Sequence, residues 1–280
     1  MDSVLHGRYL LASVILTENA IETATDDKTS VPRMTRTSVI VQHKTLGYHE
    51  QNHPKPHYLS LTSEMVWAWQ QWLSRRPVSR TKNNTELNWD HLHGAAVYEP
   101  LSKPDGSWVV REHHYIENHF ARAGLSGPPL HIHRLQDEFF KVEQGVLAVV
   151  KNGVEHRITK DDGVLTIPAG TRHRFWVHES TPENVIFDVW LDPCTGVDHI
   201  LDENFLRNLS GYVNDCVKAG MQPSVLQIIL MTEEASSLLC PPFLNWMPTW
   251  LLFWVHKGLA GYAEYVLGYS RSYPEYTRSV

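Results

Sequence analysis

The sequence predicts a mainly β protein built around a small barrel, and three observations carry that expectation. Between residues 131 and 177, apolar and polar residues alternate with the two-residue period of a strand. Turn signals separate these runs, the strongest being Asn152-Gly153, which reads as a tight hairpin. Side chains with metal-ligand chemistry recur on the same strand faces, at a spacing that suits neighbouring strands of a barrel.

Taken in order, His131-Ile132-His133 sends both imidazoles to one face. After the turn Leu135-Gln136-Asp137, the next run places Glu138, Phe140 and Val142 together. Gly145 closes a turn that only glycine makes without steric cost. Val146 to Lys151 and Val154 to Thr159 are the arms of the Asn152-Gly153 hairpin. Val164 to Ile167 is stopped by Pro168 and Gly170, and His173, Phe175 and Val177 share a face of the strand that follows.

This run resembles the cupin superfamily. Gly127, His131, His133, Glu138 and Gly145 match its first motif, although only three residues separate Gly127 from His131; Pro168, Gly170 and His173 match its second. Two positions depart from the pattern. Gly163 stands one residue nearer the proline, which shifts a turn, and Val177 takes the usual place of asparagine, which makes the pocket more apolar. The resemblance spans residues 94–192, and no second H-x-H with a following glutamate is present. It implies a single-domain cupin: a double-stranded β-helix, or jelly-roll barrel, with N-terminal and C-terminal helical extensions. His131, His133, Glu138 and His173 are the implied metal ligands, with iron(II) the foremost ion and manganese(II), nickel(II) or zinc(II) as alternatives. Taken singly, each of these residues reads as surface charge or an ordinary turn; their joint order and spacing is what points to a metal site, and a cupin barrel that has lost its metal is the competing expectation.

The remaining chain divides into a flexible extension over 1–33, an arm with a helix and a strand over 34–93, and an apolar helical extension over 193–280. The apolar stretch Tyr9 to Leu16 makes a poor secretory signal, because Asp2 opens the chain and no convincing cleavage site follows. Ser63 to Arg76 has helical spacing at Met65, Trp69, Trp72 and Leu73, and Pro77 ends it. Asp202 to Val217 and Ser224 to Met231 read as two further helices. Residues 236–255 contain no charge but include Trp246, Trp250, Phe253 and Trp254. Three readings of this stretch stand open: a spanning helix, which Pro241, Pro242 and Pro248 oppose; an interfacial aromatic anchor giving peripheral membrane contact; and a cap packed on the barrel or on a second subunit.

Composition narrows the function classes. The chain has 280 residues and a net charge of −6, with no basic stripe, which disfavours a nucleic-acid partner. Cys194, Cys216 and Cys240 form an odd set without C-x-x-C spacing, which fits a reducing, cytoplasmic setting. Phe140, Val142, Phe175 and Val177 form an expected apolar substrate wall, which favours a carbon-rich hydrophobic small molecule over a sugar or a phosphate. His113 is a candidate acid or base on the strand upstream of the motif, with Tyr115 on its face as a further substrate-pocket residue; both also read as decoration of an exposed strand. Glu138 can serve as ligand or as base. The leading expectation is a metal-dependent oxidoreductase, dioxygenase-like, that tailors a polyketide or terpenoid intermediate in secondary-metabolite biosynthesis, as the resemblance to cupins of fungal natural-product pathways implies. A redox-neutral isomerase, cyclase or pericyclase and a non-catalytic binding module are the alternatives, and the resemblance also implies a homodimer.

Overall fold

A computed structural model describes residues 73–102, 108–195 and 198–278. The extension over 1–33 and most of the helix expected over 63–76 lie outside these residues. The alternating runs form strands β1 (Trp89–His91), β2 (Ala96–Ser102), β3 (Trp108–His114), β4 (His131–His133), β5 (Asp137–Gln144) and β6 (Leu147–Lys151). They continue as β7 (Val154–Ile158), β8 (Val164–Ile167), β9 (His173–Val177), β10 (Val185–Asp192) and β11 (Ser237–Leu239). Two antiparallel sheets result, in the orders β1-β2-β3-β10-β5-β8 and β11-β4-β9-β6-β7. Their inner faces meet: Phe140 of β5 and Phe175 of β9 pack edge to face at 5.0 Å, and Phe187 of β10 joins them. Each ring so buried contributes roughly 1.5–3 kcal/mol.

The hairpin chemistry appears where the sequence asks for it. Asn152 and Gly153 both have positive φ, as a primed two-residue turn requires, and Val150 pairs with Glu155 across it. On β5, Glu138, Phe140 and Val142 are buried while Lys141 is exposed, so the two-residue period fixes which side chains enter the barrel.

Four α-helices lie wholly within the described residues: α1 (His119–Arg122), α2 (Glu203–Lys218), α3 (Val225–Glu234) and α4 (Thr249–Gly261). The Asp202 carboxylate caps α2 by accepting the Phe205 N–H at 2.8 Å. The uncharged tail run is divided rather than continuous. Ser237–Leu239 becomes β11 at the edge of the second sheet, a 3-10 turn follows at Pro242–Leu244, and Pro248 precedes the first turn of α4. No helix among the described residues is long and apolar enough to cross a membrane. One side of α4 covers the barrel through Leu252, which clusters with Ile132 and Leu238, while Trp250 and Trp254 on the other side are exposed. The C-terminal extension therefore supplies a barrel strand as well as helices, and β1 begins sheet pairing ahead of residue 94.

His256 ties α4 to β11 by accepting the Leu239 N–H on its Nε2 at 3.2 Å. Burial lowers this imidazole to about 4, with Glu233 opposing the shift. Below the ordinary histidine range the unfolded chain takes up a proton that the folded chain refuses, so stability falls as pH drops from 6.5 towards 4. The expected slope from this group is about 1 kcal/mol per pH unit. Urea unfolding across that window should show a shallower acid slope in His256→Gln; identical slopes would remove His256 as the cause.

Candidate metal centre

The two sheets bring the ligand-type residues to one point. His131 and His173 are paired partners on β4 and β9, and His133 follows on the same inner face. Glu138 reaches the cluster from β5 of the opposite sheet, where it pairs with Leu191 and Ile167. One ligand atom from each of the four residues lies within 4.8 Å of all the others, and all four side chains are buried. His131 Nε2 is 3.1 Å from His133 Nε2, and Glu138 Oε1 and Oε2 lie 3.6 Å and 2.6 Å from the Nε2 atoms of His133 and His173.

Hydrogen bonds outside the cluster decide what those nitrogens offer. A carbonyl oxygen can only accept, so His131 Nδ1 donates to Pro129 O at 2.9 Å and His173 Nδ1 donates to Thr171 O at 3.0 Å. Ser237 Oγ donates to Ala235 O, which leaves its lone pairs to accept from His133 Nδ1 at 2.9 Å. In its neutral form each imidazole therefore turns its Nε2 lone pair to the centre, the orientation that outer hydrogen bonds give to metal-binding histidines. Glu138 Oε2 and His173 Nε2 are buried without a hydrogen-bond partner despite their proximity. A proton on His173 or a metal cation between the two would satisfy both atoms.

The four groups are electrostatically coupled. Burial, reinforced by His173 and His133, pushes the His131 imidazole well below the usual histidine range and keeps it neutral. Burial works to raise the Glu138 carboxyl, but His173 and His133 outweigh it and hold the group below the usual carboxylate range. Burial likewise works to lower His173, and the Glu138 charge outweighs it and raises the group. Three imidazole nitrogens and one carboxylate oxygen suit iron(II), manganese(II), nickel(II) or zinc(II). The residues present fit a divalent ion.

A cupin-domain model matches residues 120–190. Oxidoreductase iacF of Pestalotiopsis fici is 64% identical over 204 residues, which cover 73% of this chain and 100% of that protein. Probable oxidoreductase virH of Hypocrea virens is 50% identical over 76% of this chain and 96% of its own. The chain belongs to the cupin superfamily. Among solved structures, KdgF from Halomonas sp. shares 18% identity over 40% of this chain and 93% of that chain, with a TM-score of 0.29.

The remaining expected site residues of this cupin separate into two groups. Phe140, Val142, Phe175 and Val177 lie inside the barrel, buried on the same faces as the ligands. His113 and Tyr115 do not. His113 points to the outer side of β3, where its Nε2 meets Glu99 at 3.2 Å, and Tyr115 lies beyond the strand end and is exposed. The register of β3 against β10, with Glu112 opposite Phe187 and His114 opposite Val185, turns the other pair inward. His114 and Glu112 are thus the β3 side chains that enter the barrel, so its wall is not wholly apolar. The alternation Arg111-Glu112-His113-His114 defined two faces, but which one was inner depended on pairing with a strand some seventy residues away.

Ser237 also had no sequence signal, because β11 lies in the tail and meets β4 only in three dimensions, with Ser237 opposite His133. Ser237→Ala is expected to weaken metal affinity about 10–100-fold while leaving all four ligands in place. Competition against a chelator measures this; unchanged affinity would mean that the serine does not set the His133 ring.

Proposed function

We propose that this cupin is a metal-dependent oxidoreductase, dioxygenase-like, that tailors a hydrophobic polyketide or terpenoid intermediate of secondary metabolism. The observation that carries the reading is the convergence of three imidazole Nε2 atoms with the Glu138 carboxylate at one buried point above an aromatic layer. Iron(II) is the ion we favour, and when bound it would supply Lewis acidity and one-electron chemistry.

The chain's own residues perform the rest. His131, His133, His173 and Glu138 hold the ion, and Pro129, Thr171 and Ser237 fix the three rings. Phe140, Phe175 and Phe187 keep water from the interior, so a carbon-rich molecule gains contacts that a sugar would not. The oxidoreductase names of the relatives support redox chemistry over isomerisation. In the same proposal the protein is cytoplasmic and homodimeric, with the exposed Trp250 and Trp254 of α4 in the subunit contact.

Metal analysis of the purified protein, followed by oxygen uptake with a panel of aromatic polyketides before and after EDTA, tests the reading. Stoichiometric iron and chelator-sensitive oxygen uptake are expected. Product formation that survives both EDTA and loss of His131 would replace it with a redox-neutral isomerase or cyclase, and binding without product would replace it with a binding module. Light scattering tests the dimer, and vesicle flotation tests the competing use of the α4 tryptophans as a peripheral membrane contact.

A further inference from the structure

Three buried side chains that the metal cluster does not use form a hydrogen-bonded chain of their own. Glu112 Oε2 is 2.9 Å from His114 Nε2, and His114 Nδ1 is 2.7 Å from Ser126 Oγ. Their residues are 3%, 0% and 0% exposed. A carboxylate closed off from water is strongly unfavourable unless it is paired, and such pairs concentrate where a fold uses proton chemistry.

The chain is built from fixed elements. Glu112 and His114 are two residues apart on the inner face of β3, and Ser126 comes from the segment ahead of β4. That segment is held against β9: a Cβ at Gly127 would fall 2.0 Å from the Phe175 carbonyl oxygen, so only glycine permits the approach that seats Ser126. The His114 ring leans on Phe187 at 5.2 Å, the same ring that touches Phe140 and Phe175.

Its polarity follows from the partners. With Glu112 ionised, the imidazole must donate through Nε2, which leaves Nδ1 to accept the Ser126 hydroxyl hydrogen. The serine oxygen then keeps lone pairs free, since among the described residues it makes no other hydrogen bond. The groups facing this chain are His91 from β1, Tyr98 from β2 and Glu138 from β5. Burial, with His114 adding, lowers His91 to about 3 and keeps it neutral. Burial, with Glu112 adding, keeps Tyr98 protonated. Burial raises the Glu112 carboxyl, Glu138 adds to the rise, and His114 opposes it.

We propose that Ser126, His114 and Glu112 form a second acid–base centre in the barrel, which takes the proton from a hydroxyl group of a phenolic or enolic substrate. The substrate O–H bond breaks and its proton passes to Ser126 Oγ as the serine's own proton passes to His114 Nδ1. The electron pair stays on the substrate oxygen, and the Glu112 carboxylate holds the imidazolium so formed. No oxidant is consumed. Ser126 is the catalytic contact and Glu112 a positioning residue that fixes the His114 tautomer. This deepens the oxidoreductase reading, on which it rests for the substrate class, because a phenolate or enolate gives up an electron more readily than its conjugate acid.

The test uses para-nitrophenol as the probe and the full chain, as purified and after EDTA. The yellow phenolate band of the bound probe is expected at pH values about one unit or more below its free pKa, with and without EDTA. Ser126→Ala and Glu112→Gln should lose the band at saturating probe, and Glu112→Asp should restore part of it; a merely structural role would change melting and not the ionisation of the probe. A neutral spectrum in the wild type, no saturable binding, or an undiminished band in Ser126→Ala overturns the proposal. A band that EDTA removes and Ser126→Ala retains also overturns it, and assigns the effect to the metal. A band that survives EDTA in a protein that takes up no oxygen supports the acid–base centre and sinks the oxidoreductase reading alone.

Discussion

Replacing His133 with alanine is expected to abolish metal retention and, with it, turnover. Losing one of three imidazoles exposes the remaining donors to an incomplete shell, and the Ser237 hydroxyl that oriented the ring loses its partner. Outer-shell substitutions alone cost about 10–100-fold in affinity, so loss of a direct ligand should exceed 10²-fold. Added metal should also stabilise the wild type alone, by about 4 kcal/mol at a thousandfold excess over Kd, because only the folded chain presents the site. Elemental analysis and melting with and without metal measure both effects. His113→Ala is the matched control: its ring pairs with Glu99 on the outer face and should change metal content by less than about twofold, since exposed pairs contribute about 0–1 kcal/mol. Equal loss in the two variants would dismantle the assignment of the centre.

Arg207→Ala should produce the largest loss of stability. The guanidinium on α2 is fully buried, donates to the carbonyl oxygens of Asn83, Glu86 and Leu87, and pairs with Glu203 at 2.7 Å. It also lies 4.1 Å above the Trp89 ring, so one side chain fastens the segment entering β1 to the helix layer. Truncation removes the guanidinium from the Glu86 and Leu87 carbonyls, while Asn83 O keeps the Glu86 N–H and Glu203 keeps Arg278; with the ring contact also lost, the cost is about 3–5 kcal/mol. For a chain of this size that corresponds to a melting point lower by about 10 °C. Lysine should not rescue it, because a single ammonium cannot reproduce the planar fork that serves carbonyls on one side and a carboxylate on the other. A melting point within a degree or two of wild type would contradict this account.

Much of the barrel was legible because strand chemistry is local. Glu138, Phe140 and Val142 share a face by period alone, and Asn152-Gly153 dictates its hairpin through backbone sterics that no distant contact alters. The motif order likewise pointed to the four residues that the structure places together. The apolar tail was less readable. Its lack of charge favoured a cap on the barrel or on a second subunit over contact with lipid, and the outcome, a strand plus a helix with one covered and one exposed side, depended on β4 offering an open edge to Ser237–Leu239.

The sequence by itself determined the jelly-roll class, the hairpins and the identity of the ligand-type side chains, because these follow from residue period, turn sterics and donor chemistry within short windows. Only the tertiary structure decided that His114 rather than His113 enters the barrel, that Ser126 and Glu112 meet through it, and that Ser237 orients His133. Those outcomes belong to strand register and long-range pairing, where a shift of one residue exchanges the inner face for the outer and no local pattern reports which was chosen.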